Sequence, residues 1–231
     1  MLGDAARDLL LGTHCVGCPR PGRLLCRDCA ALLPTGAQVA WPSPTPTGLV
    51  APFAVTAYDG MVRAMVLGHK ERRLLALRRP LSELLAQAVG ASGVDGPLVL
   101  VPVPSRGSSV RARGHDPTGS MTVGAAAALR ARGVDAVTGP LLRLRPGVVD
   151  QAGLDATQRA ANLAGSMACS VPALRRLARL RPRARVVVCD DVLTTGATLR
   201  EAQRALEAVG LHVAAAAVVA ATPRRRSTAN V

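Results

Sequence analysis

Aromatic side chains are nearly absent from this sequence of 231 residues. Trp41, Phe53 and Tyr58 are the only three, although apolar residues make up 49% of the chain. Ala, Val and Leu must therefore fill the core, and small side chains require a close approach between packed elements. Helices lying on a sheet provide that approach. Proteins that hold single-stranded nucleic acid usually offer aromatic rings for base stacking, and arginine would have to replace those rings here.

Lysine and acidic residues are also scarce. Lys70 is the single lysine beside 28 arginines, and 15 acidic residues leave a net charge of +14. A basic surface attracts polyanions, which makes phosphate-bearing ligands and nucleic acid natural partners. A GC-rich genome, however, also enriches Arg, Ala, Gly and Val in its proteins. The charge is therefore compatible with DNA binding but does not predict it alone.

Long hydrophobic runs are missing as well. The longest apolar stretch, Val213 to Ala221, has the length of a strand, whereas a membrane helix needs about 20 residues. Asp4 and Asp8 lie where a secretory signal would carry a basic start and an apolar run. We therefore expect a cytoplasmic protein without membrane insertion. Cysteines stay reduced in that compartment, so clustered cysteines indicate a metal site rather than disulfides.

Composition divides the chain into four segments. Residues 1–33 contain a cysteine cluster, and residues 34–50 are rich in Pro, Thr, Gly and Ser, which favours a linker. Residues 51–222 alternate apolar strands with amphipathic helices, the pattern of a parallel α/β domain. Residues 223–231 form a basic tail that includes three consecutive arginines.

Individual strands and helices can be placed within the third segment. Continuous apolar runs predict strands that are buried on both faces of a parallel sheet, over 97–104, 185–190 and 211–219. An edge strand is predicted over 52–58 and a weaker strand over 141–144. Apolar residues at helical spacing predict one helix that begins at Gly60 and others over 80–89, 119–132, 156–163 and 196–209.

The strongest functional pattern follows the strand predicted from Arg185. Asp190 and Asp191 come directly after four apolar residues, and a loop of sequence Thr-Thr-Gly-Ala-Thr leads into a helix. Ligands of open α/β sheets lie at the carboxyl ends of the strands. Free N–H groups at a helix start, together with a glycine that permits close backbone approach, suit a phosphate. The loop residues that form this candidate phosphate site are Thr194, Thr195, Gly196, Ala197 and Thr198.

Two carboxylates beside a phosphate would repel it unless they bound another group. Sugar hydroxyls or a bridging divalent cation supply that group, so the pattern predicts a sugar phosphate. The alternative is a buried strand ended by a capping aspartate and an ordinary Ser/Thr-rich loop. That alternative accounts poorly for the whole run of four apolar residues, two acids and Thr-Thr-Gly-x-Thr.

This segment resembles the phosphoribosyl-diphosphate signature of the type I phosphoribosyltransferases. The resemblance implies that Asp190 and Asp191 are the catalytic pair and hold the 2′- and 3′-hydroxyls of the ribose. It implies that residues 194–198 cradle the 5′-phosphate. It also implies that Mg²⁺ arrives with the diphosphate and is held mostly by the ligand and water.

Four of the six cysteines form two CxxC pairs with seven residues between them: Cys15, Cys18, Cys26 and Cys29. Four thiolates at this spacing can surround one tetrahedral Zn²⁺ and close its coordination shell, which favours a structural zinc. The segment is too short for a core of its own, so the metal would supply its folding energy. Free thiols or a redox pair are the alternatives. Cys169 and Cys189 stand in apolar stretches and are predicted to lie in the core.

A basic loop follows the strand predicted over 97–104. It runs from Ser105 to His115 and contains Arg106, Arg111 and Arg113. Guanidinium groups bind phosphate oxygens in pairs, so these three arginines are the candidates to close over a diphosphate. The alternative is a solvated basic loop in an arginine-rich chain.

The order of the motifs along nearly the whole chain resembles the ComF family of competence proteins, which are homologues of the phosphoribosyltransferases. The four-cysteine element comes first and the phosphoribosyl signature last. Between them lie Tyr58-Asp59-Gly60-x-x-Arg63 with Lys70, Val101-Pro-Val-Pro104 with Arg111-x-Arg113-Gly114, and Gln151 to Asn162. The chain departs from the family at His115-Asp116-Pro117, where relatives usually have Phe-Asn-Gln.

The ComF resemblance implies a protein that binds phosphoribosyl diphosphate or a related sugar phosphate and acts in competence and DNA uptake. Its partners would be internalised single-stranded DNA and a competence helicase. The alternative is an active phosphoribosyltransferase, a glycosyltransferase of nucleotide salvage or related metabolism. No residue identifies an acceptor for such a transfer, and the sequence does not decide between binding alone and catalysis. The oligomeric state also stays open.

Overall fold

A six-stranded, mostly parallel sheet forms the centre of the fold. The computed structural model describes residues 14–105, 114–145, 163 and 165–223. The strands within these residues are β1 (Gln38–Val39), β2 (Pro52–Ala57), β3 (Leu98–Pro102), β4 (Ala136–Thr138), β5 (Leu142–Leu144), β6 (Met167–Cys169), β7 (Arg185–Leu193) and β8 (Val213–Ala221). The helices are α1 (Arg27–Ala31), α2 (Gly60–Glu71), α3 (Arg78–Ala91), α4 (Pro117–Ala131), α5 (Val171–Leu180) and α6 (Ala197–Glu207).

The strand order across the sheet is β1-β2-β8-β7-β3-β4. β1 runs antiparallel to β2, and every other neighbouring pair is parallel. β5 and β6 form a separate antiparallel pair. This architecture confirms the predicted α/β class, a parallel-type sheet flanked by helices and preceded by a four-cysteine element.

Alternate residues of the central strands face two separate cores, one on each side of the sheet. Leu100 of β3 and Val187 of β7 pack into one core with residues of α2, α3 and α4. Val101 and Val188 pack into the other core with residues of α6 and of the β5–β6 pair. Successive side chains of a strand point to opposite faces, so the continuous apolar runs of β3 and β7 are explained by burial on both sides.

The strand predicted over 52–58 exists but is not at the edge of the sheet. β2 lies between β1 and β8, and Pro52 occupies its first residue, where a missing N–H is tolerated. The edge is provided by Gln38 and Val39, two exposed residues within the proline-rich segment 34–50. Proline restricts that segment to a strand too short for the apolar pattern to reveal.

Helix α5 was not predicted. None of its residues is fully buried, and only Ala173, Leu174 and Leu177 pack against the core. Its apolar residues and its arginines lie on opposite faces at helical spacing, so the pattern of a helix is present in the sequence but spans only ten residues. The helix predicted over 156–163 lies outside the described residues, apart from Leu163.

Residues 40–50 pack directly on α6. The Arg200 Nε donates a hydrogen bond to the Thr47 carbonyl (3.0 Å), and the Gln203 Nε2 donates one to the Gly48 carbonyl (2.9 Å). The Val50 N–H donates to the Gln203 Oε1 over 3.0 Å. This segment therefore lies beside the helix whose amino end forms the candidate phosphate site.

Candidate functional site

The two aspartates lie on β7, a central strand of the sheet whose neighbours are β3 and β8. The strand continues past them to Leu193, three residues further than the sequence predicted, and Asp190 stands opposite Val218 in the β7–β8 register. Asp191 is 7% exposed and accepts a hydrogen bond from the Lys70 Nζ on α2 (2.7 Å). Burial explains why this acid requires a cation partner. The structure thus joins the single lysine of the chain to the acidic pair.

Asp190 has a different environment from its neighbour. Burial, followed by the negative charge of Asp191, raises the pKa of Asp190 well above its ordinary value, and the more distant charge of Lys70 only partly opposes this. Its Oδ1 accepts a hydrogen bond from the Asp191 N–H (2.8 Å). Asp190 therefore holds a proton more readily than an ordinary carboxyl when no ligand is present. A ligand that brings a cation or hydroxyl donors would favour the charged form.

The loop after β7 turns sharply at Gly196, which has a φ of 77° and forms the amino cap of α6. A Cβ at this position would lie 2.9 Å from the Pro42 Cγ and 3.1 Å from the Leu49 Cδ2. Both the left-handed backbone and the contact with the 40–50 segment therefore require glycine. The Thr195 hydroxyl accepts a hydrogen bond from the Ala197 N–H (3.4 Å). The start of α6 offers further N–H groups without an intrahelical acceptor, which suits an anion.

A cavity of about 490 Å³ lies beside the carboxyl end of β7 and the loop that leads into α6. It brings together both aspartates and the hydroxyls of Thr194 and Thr198, whereas Thr195, Gly196 and Ala197 shape the loop without lining the cavity. The remaining polar lining residues are Tyr58, Lys70, Glu71, Ser105 and Thr118. The sequence assigned no role to Ser105 or Thr118, because neither lies within a recognisable motif. Their positions follow only from the meeting of β3, α4 and β7.

The candidate diphosphate residues Arg106, Arg111 and Arg113 lie outside the described residues. The two ends of their loop are described and lie close together, since the Ser105 Oγ donates a hydrogen bond to the Asp116 Oδ1 (3.0 Å). Asp116 also precedes α4, whose first residue is Pro117. The loop therefore begins and ends at the rim of the cavity.

His115 contacts α2 beside the acidic pair. Its Nε2 lies 3.1 Å from the carbonyl oxygen of His69, and the two imidazole rings meet edge to face with their centroids 5.4 Å apart. Burial, and next the charge of His115, lower the pKa of His69. The sequence His115-Asp116-Pro117 thus attaches the end of the basic loop to α2, one residue before Lys70.

The four-cysteine cluster has the geometry of a metal site. The Sγ atoms of Cys15, Cys18, Cys26 and Cys29 all lie within 4.8 Å of one another, and those of Cys18 and Cys26 are 3.7 Å apart. A tetrahedron with metal–sulfur bonds of about 2.3 Å has sulfur atoms about 3.8 Å apart. The residues present therefore fit a zinc ion, and four thiolates would leave no open coordination position.

Backbone N–H groups also point at the sulfur atoms. The Cys26 N–H and the Gly17 N–H donate to the Cys15 Sγ over 3.3 and 3.4 Å. Burial raises the pKa of Cys15, but these hydrogen bonds outweigh it and lower the pKa to about 6. The hydrogen bond with Cys26, and then burial, raise the pKa of Cys29 to about 12. A divalent cation would allow all four groups to be thiolates at once.

The cysteine element packs against both ends of α2. At one end, a Cβ on Gly17 would lie 2.6 Å from the Met61 Sδ, which shows that the Met61 side chain packs directly on the backbone at Gly17. At the other end, a cavity of about 430 Å³ is lined by residues of the element together with Arg72 and Leu74. α2 is also the helix that carries Lys70. The four-cysteine cluster and the acidic pair are therefore joined by one helix.

The two remaining cysteines behave as core residues. Cys169 is 6% exposed and Cys189 is fully buried, and burial raises the pKa of both thiols. Among the described helices, none is both long and apolar enough to cross a membrane.

Comparison with known proteins supports the interpretation of this site. Residues 128–230 match the family described as the phosphoribosyl transferase domain, and this range includes the acidic pair and the candidate phosphate loop 194–198. A phosphoribosyl transferase domain is therefore present in the chain. The matched range does not include the cysteine element or Lys70.

One curated relative is the orotate phosphoribosyltransferase of Helicobacter acinonychis (strain Sheeba). It is 40% identical to this chain over 50 residues, which is 22% of this chain. The chain spans only a quarter of the length of that relative, since the match covers 25% of it. The similarity is local and concerns one part of the domain.

Proposed function

We propose that this protein binds phosphoribosyl diphosphate, or a closely related sugar phosphate, in the cavity formed by β7, α2 and the amino end of α6. The observation that carries the proposal is the pair Asp190 and Asp191 beside the Thr194 and Thr198 hydroxyls and the start of a helix. Acids and an anion site side by side match a ligand with vicinal hydroxyls at one end and phosphate at the other. The phosphoribosyl transferase domain match supports the same ligand class.

Each part of the chain has a separate task in this proposal. Asp190 and Asp191 accept hydrogen bonds from the ribose hydroxyls, while the Lys70 ammonium group holds Asp191 in place by a hydrogen bond. The loop 194–198 receives the 5′-phosphate on its N–H groups and hydroxyls. The arginines of the basic loop, Arg106, Arg111 and Arg113, neutralise the diphosphate. Mg²⁺ that arrived with the diphosphate would supply further positive charge for the leaving group.

Isothermal titration with phosphoribosyl diphosphate and Mg²⁺ tests the ligand. We expect measurable binding to the full chain and its loss in the double variant Asp190→Asn/Asp191→Asn. Asp95→Asn is the matched control, because Asp95 is an exposed acid outside the cavity. Equal binding by the double variant and the control, or no binding by the wild type, would refute the proposal.

A second candidate function is catalytic phosphoribosyl transfer. The domain match and the local similarity to a protein named orotate phosphoribosyltransferase favour it. In this reaction the bond from C1′ to the diphosphate oxygen breaks, and an acceptor nitrogen forms a new bond to C1′. The protein would contribute by orienting the ribose and neutralising the departing diphosphate. Among the residues lining the cavity, Tyr58 is the single aromatic that could contact an acceptor ring.

Release of diphosphate separates catalysis from binding. We expect acceptor-dependent release with orotate or another nucleobase if the protein is a transferase. Binding of the donor without release in the presence of orotate, purine bases and uracil would leave a binding function only. The Asp190→Asn/Asp191→Asn variant supplies the background rate.

We further propose that the protein is a ComF-type homologue that acts in the cytoplasm, in DNA uptake with single-stranded DNA and a helicase partner. The order of motifs along the chain supports this role, as does the four-cysteine cluster ahead of the phosphoribosyl transferase domain. Steeply salt-dependent binding to a single-stranded oligonucleotide is the expected result. Absence of such binding at low salt would argue for a purely metabolic role.

A further inference from the structure

The most basic stretch among the described residues is the one from α5 to the start of β7. Residues 171–185 contain six arginines and no acidic residue. Arg181 forms an ion pair with Asp135. The other five are exposed, and no ion pair is found for them within the described part of the chain: Arg175, Arg176, Arg179, Arg183 and Arg185. Uncompensated positive charge at this density on one short segment suits a polyanionic ligand.

The basic side chains of α5 share its outer face. Ala173, Leu174 and Leu177 pack against the core, so the orientation of the helix is fixed. A concave surface of about 460 Å³ lies on the opposite side and is lined by Pro172, Arg175, Arg176, Arg179 and Leu180. These positions repeat at three- and four-residue spacing and form one helix face. A helix of this length extends about 15 Å, so the surface can follow several successive phosphates.

We propose that this outer face of α5 is a binding surface for single-stranded nucleic acid. The proposal rests on the proposed role with single-stranded DNA and supplies the surface for it. The arginines contact the phosphate backbone, and their planar guanidinium groups stack on bases. Leu180, which is 65% exposed, and Pro172 offer apolar contact to bases that are not paired. Arginine thereby replaces the aromatic rings that the chain lacks.

Two features of α5 favour nucleic acid over an anionic membrane. A helix that lies in a membrane surface inserts its apolar face into the lipid, whereas the apolar face of α5 is packed against the protein. The surface left outside is dominated by arginine. The Arg181–Asp135 ion pair and the short link from Leu180 to Arg185 also attach the far end of α5 to the sheet. The apolar residues of α5 therefore stay packed against the protein and are not offered to lipid.

The test is fluorescence anisotropy with the full chain and a labelled single strand of about 16 nucleotides, a length that suits one small domain. The triple variant Arg175→Ala/Arg176→Ala/Arg179→Ala removes the central charges. We expect about 100-fold weaker binding at about 0.1 M salt, and a salt slope that flattens by about 2, because each lost phosphate contact removes about 0.7 from the slope. Alanine supports a helix and the replaced side chains are exposed, so the fold should persist.

The matched control is Arg23→Ala/Arg27→Ala/Arg79→Ala. These three arginines are also exposed and carry the same total charge, but they belong to the cysteine element and α3, which pack on the other face of the sheet. The control should keep the wild-type salt slope. An equal loss of affinity in the control would overturn the proposal, because the total charge of the protein would then bind the strand. An unchanged salt slope in the α5 variant would also overturn it, because another surface would then bind the strand.

Three further measurements distinguish the remaining outcomes. Titration with phosphoribosyl diphosphate should be unaffected by the α5 variant, so a failure of the sugar-phosphate site and a failure of the α5 surface appear separately. Duplex DNA should bind more weakly than the single strand, and equal binding would refute the preference for unpaired bases. Loss of binding to phosphatidylserine vesicles without loss of oligonucleotide binding would assign the surface to membranes instead.

Discussion

Asp190 and Asp191 are neighbours in sequence but differ in what holds their charge. Asp191 has the ammonium group of Lys70 at 2.7 Å. Asp190 has no cation that close among the described residues, and burial with the adjacent charge raises its pKa. A ligand that places a cation or hydroxyl donors beside Asp190 would therefore favour the charged form of this carboxyl. Because of this asymmetry, the affinity for the ligand should depend on pH.

Phosphoribosyl diphosphate should bind more tightly as the pH rises through the raised pKa of Asp190. The folded protein holds this proton to a higher pH than the unfolded chain does, so the charged form costs folding free energy. Ligand binding favours the charged form and releases the proton, and below the pKa the affinity should rise about tenfold per pH unit.

Titrations in buffers of different ionisation enthalpy measure the proton that is released. Asp190→Asn should remove this component and should leave thermal stability equal or higher, because asparagine can still accept the Asp191 N–H. A lower stability of the variant would contradict the buried-charge explanation.

At Gly196, both the backbone conformation and the neighbouring residues disfavour a side chain. Gly196→Ala should destabilise the protein by about 2–4 kcal/mol, since it adds left-handed strain to a clash with Pro42. Gly210→Ala is the matched control, because Gly210 has a φ of 81° but open space around its Cβ position. It should cost only the backbone strain, about 1–2 kcal/mol. Urea unfolding measures both, and equal costs would exclude the contact with the 40–50 segment.

At the scale of elements, α2 connects the cysteine cluster to the acidic pair. Met61 contacts the cluster at one end, Arg72 and Leu74 line a cavity with it after the other end, and Lys70 reaches Asp191. A metal in the cluster would fix the element and, through it, the position of α2. The cysteine element is therefore expected to support the sugar-phosphate site rather than to act independently.

Cys26→Ser should abolish zinc binding, lower the melting temperature and weaken phosphoribosyl diphosphate binding by about tenfold or more, a loss typical of a displaced supporting group. Zinc content, thermal unfolding and calorimetric titration provide the three measurements. Cys169→Ser, at a buried cysteine outside the cluster, should keep the metal. If the metal-free Cys26→Ser protein bound phosphoribosyl diphosphate with unchanged affinity, the cysteine element would not support the ligand site through α2.

Helix α6 and strand β6 are joined by a buried acid, Glu201. Its Oε1 accepts the Met167 N–H (2.8 Å), and Arg204 donates to both carboxylate oxygens. Burial raises the pKa of Glu201, but the hydrogen bonds from Arg204 and Met167 outweigh it and hold the pKa below its ordinary value. The contribution of ionised Glu201 to the free energy of unfolding is therefore complete above the ordinary pKa of a glutamate. It is lost as the pH falls through the lowered pKa of Glu201.

Glu201→Gln should cost about 1–3 kcal/mol at neutral pH, because charge-assisted hydrogen bonds are replaced by weaker ones. The difference between variant and wild type should shrink in acid. Glu83→Gln is the control, since Glu83 forms an exposed ion pair with Arg132 and should cost less than about 1 kcal/mol. A cost that does not depend on pH would contradict the assignment.

At the scale of the whole molecule, segment 34–50 joins the cysteine element to the phosphate loop. Gln203 donates to the Gly48 carbonyl and accepts from the Val50 N–H, and Gly196 packs against Pro42 and Leu49. The segment that composition indicates as a linker thus contacts the helix whose amino end forms the candidate phosphate site. Its removal would expose the buried side of that loop.

Gln203→Ala should therefore destabilise the protein by about 1–3 kcal/mol, because it removes the two partly buried hydrogen bonds to the Gly48 carbonyl and the Val50 N–H. It should also weaken phosphoribosyl diphosphate binding. Gln87→Ala is the control, since Gln87 accepts one exposed hydrogen bond from the Gly36 N–H and its loss should cost less than about 1 kcal/mol. Unfolding and titration of both variants measure the effects. A normal affinity in Gln203→Ala would separate the segment from the phosphate loop.

The sequence by itself determined the α/β class, the central strands and the two motifs that are candidates for ligand and metal binding. β3 and β7 are buried on both faces, so their apolar runs are continuous, and CxxC pairs or an acidic pair before Thr-Thr-Gly-x-Thr are local patterns. Only the tertiary structure decided that Lys70 meets Asp191, that β1 covers the edge of β2, and that α5 presents its arginines outwards. These depend on contacts between residues far apart in sequence, and a local pattern contains no information about which distant face an element will meet.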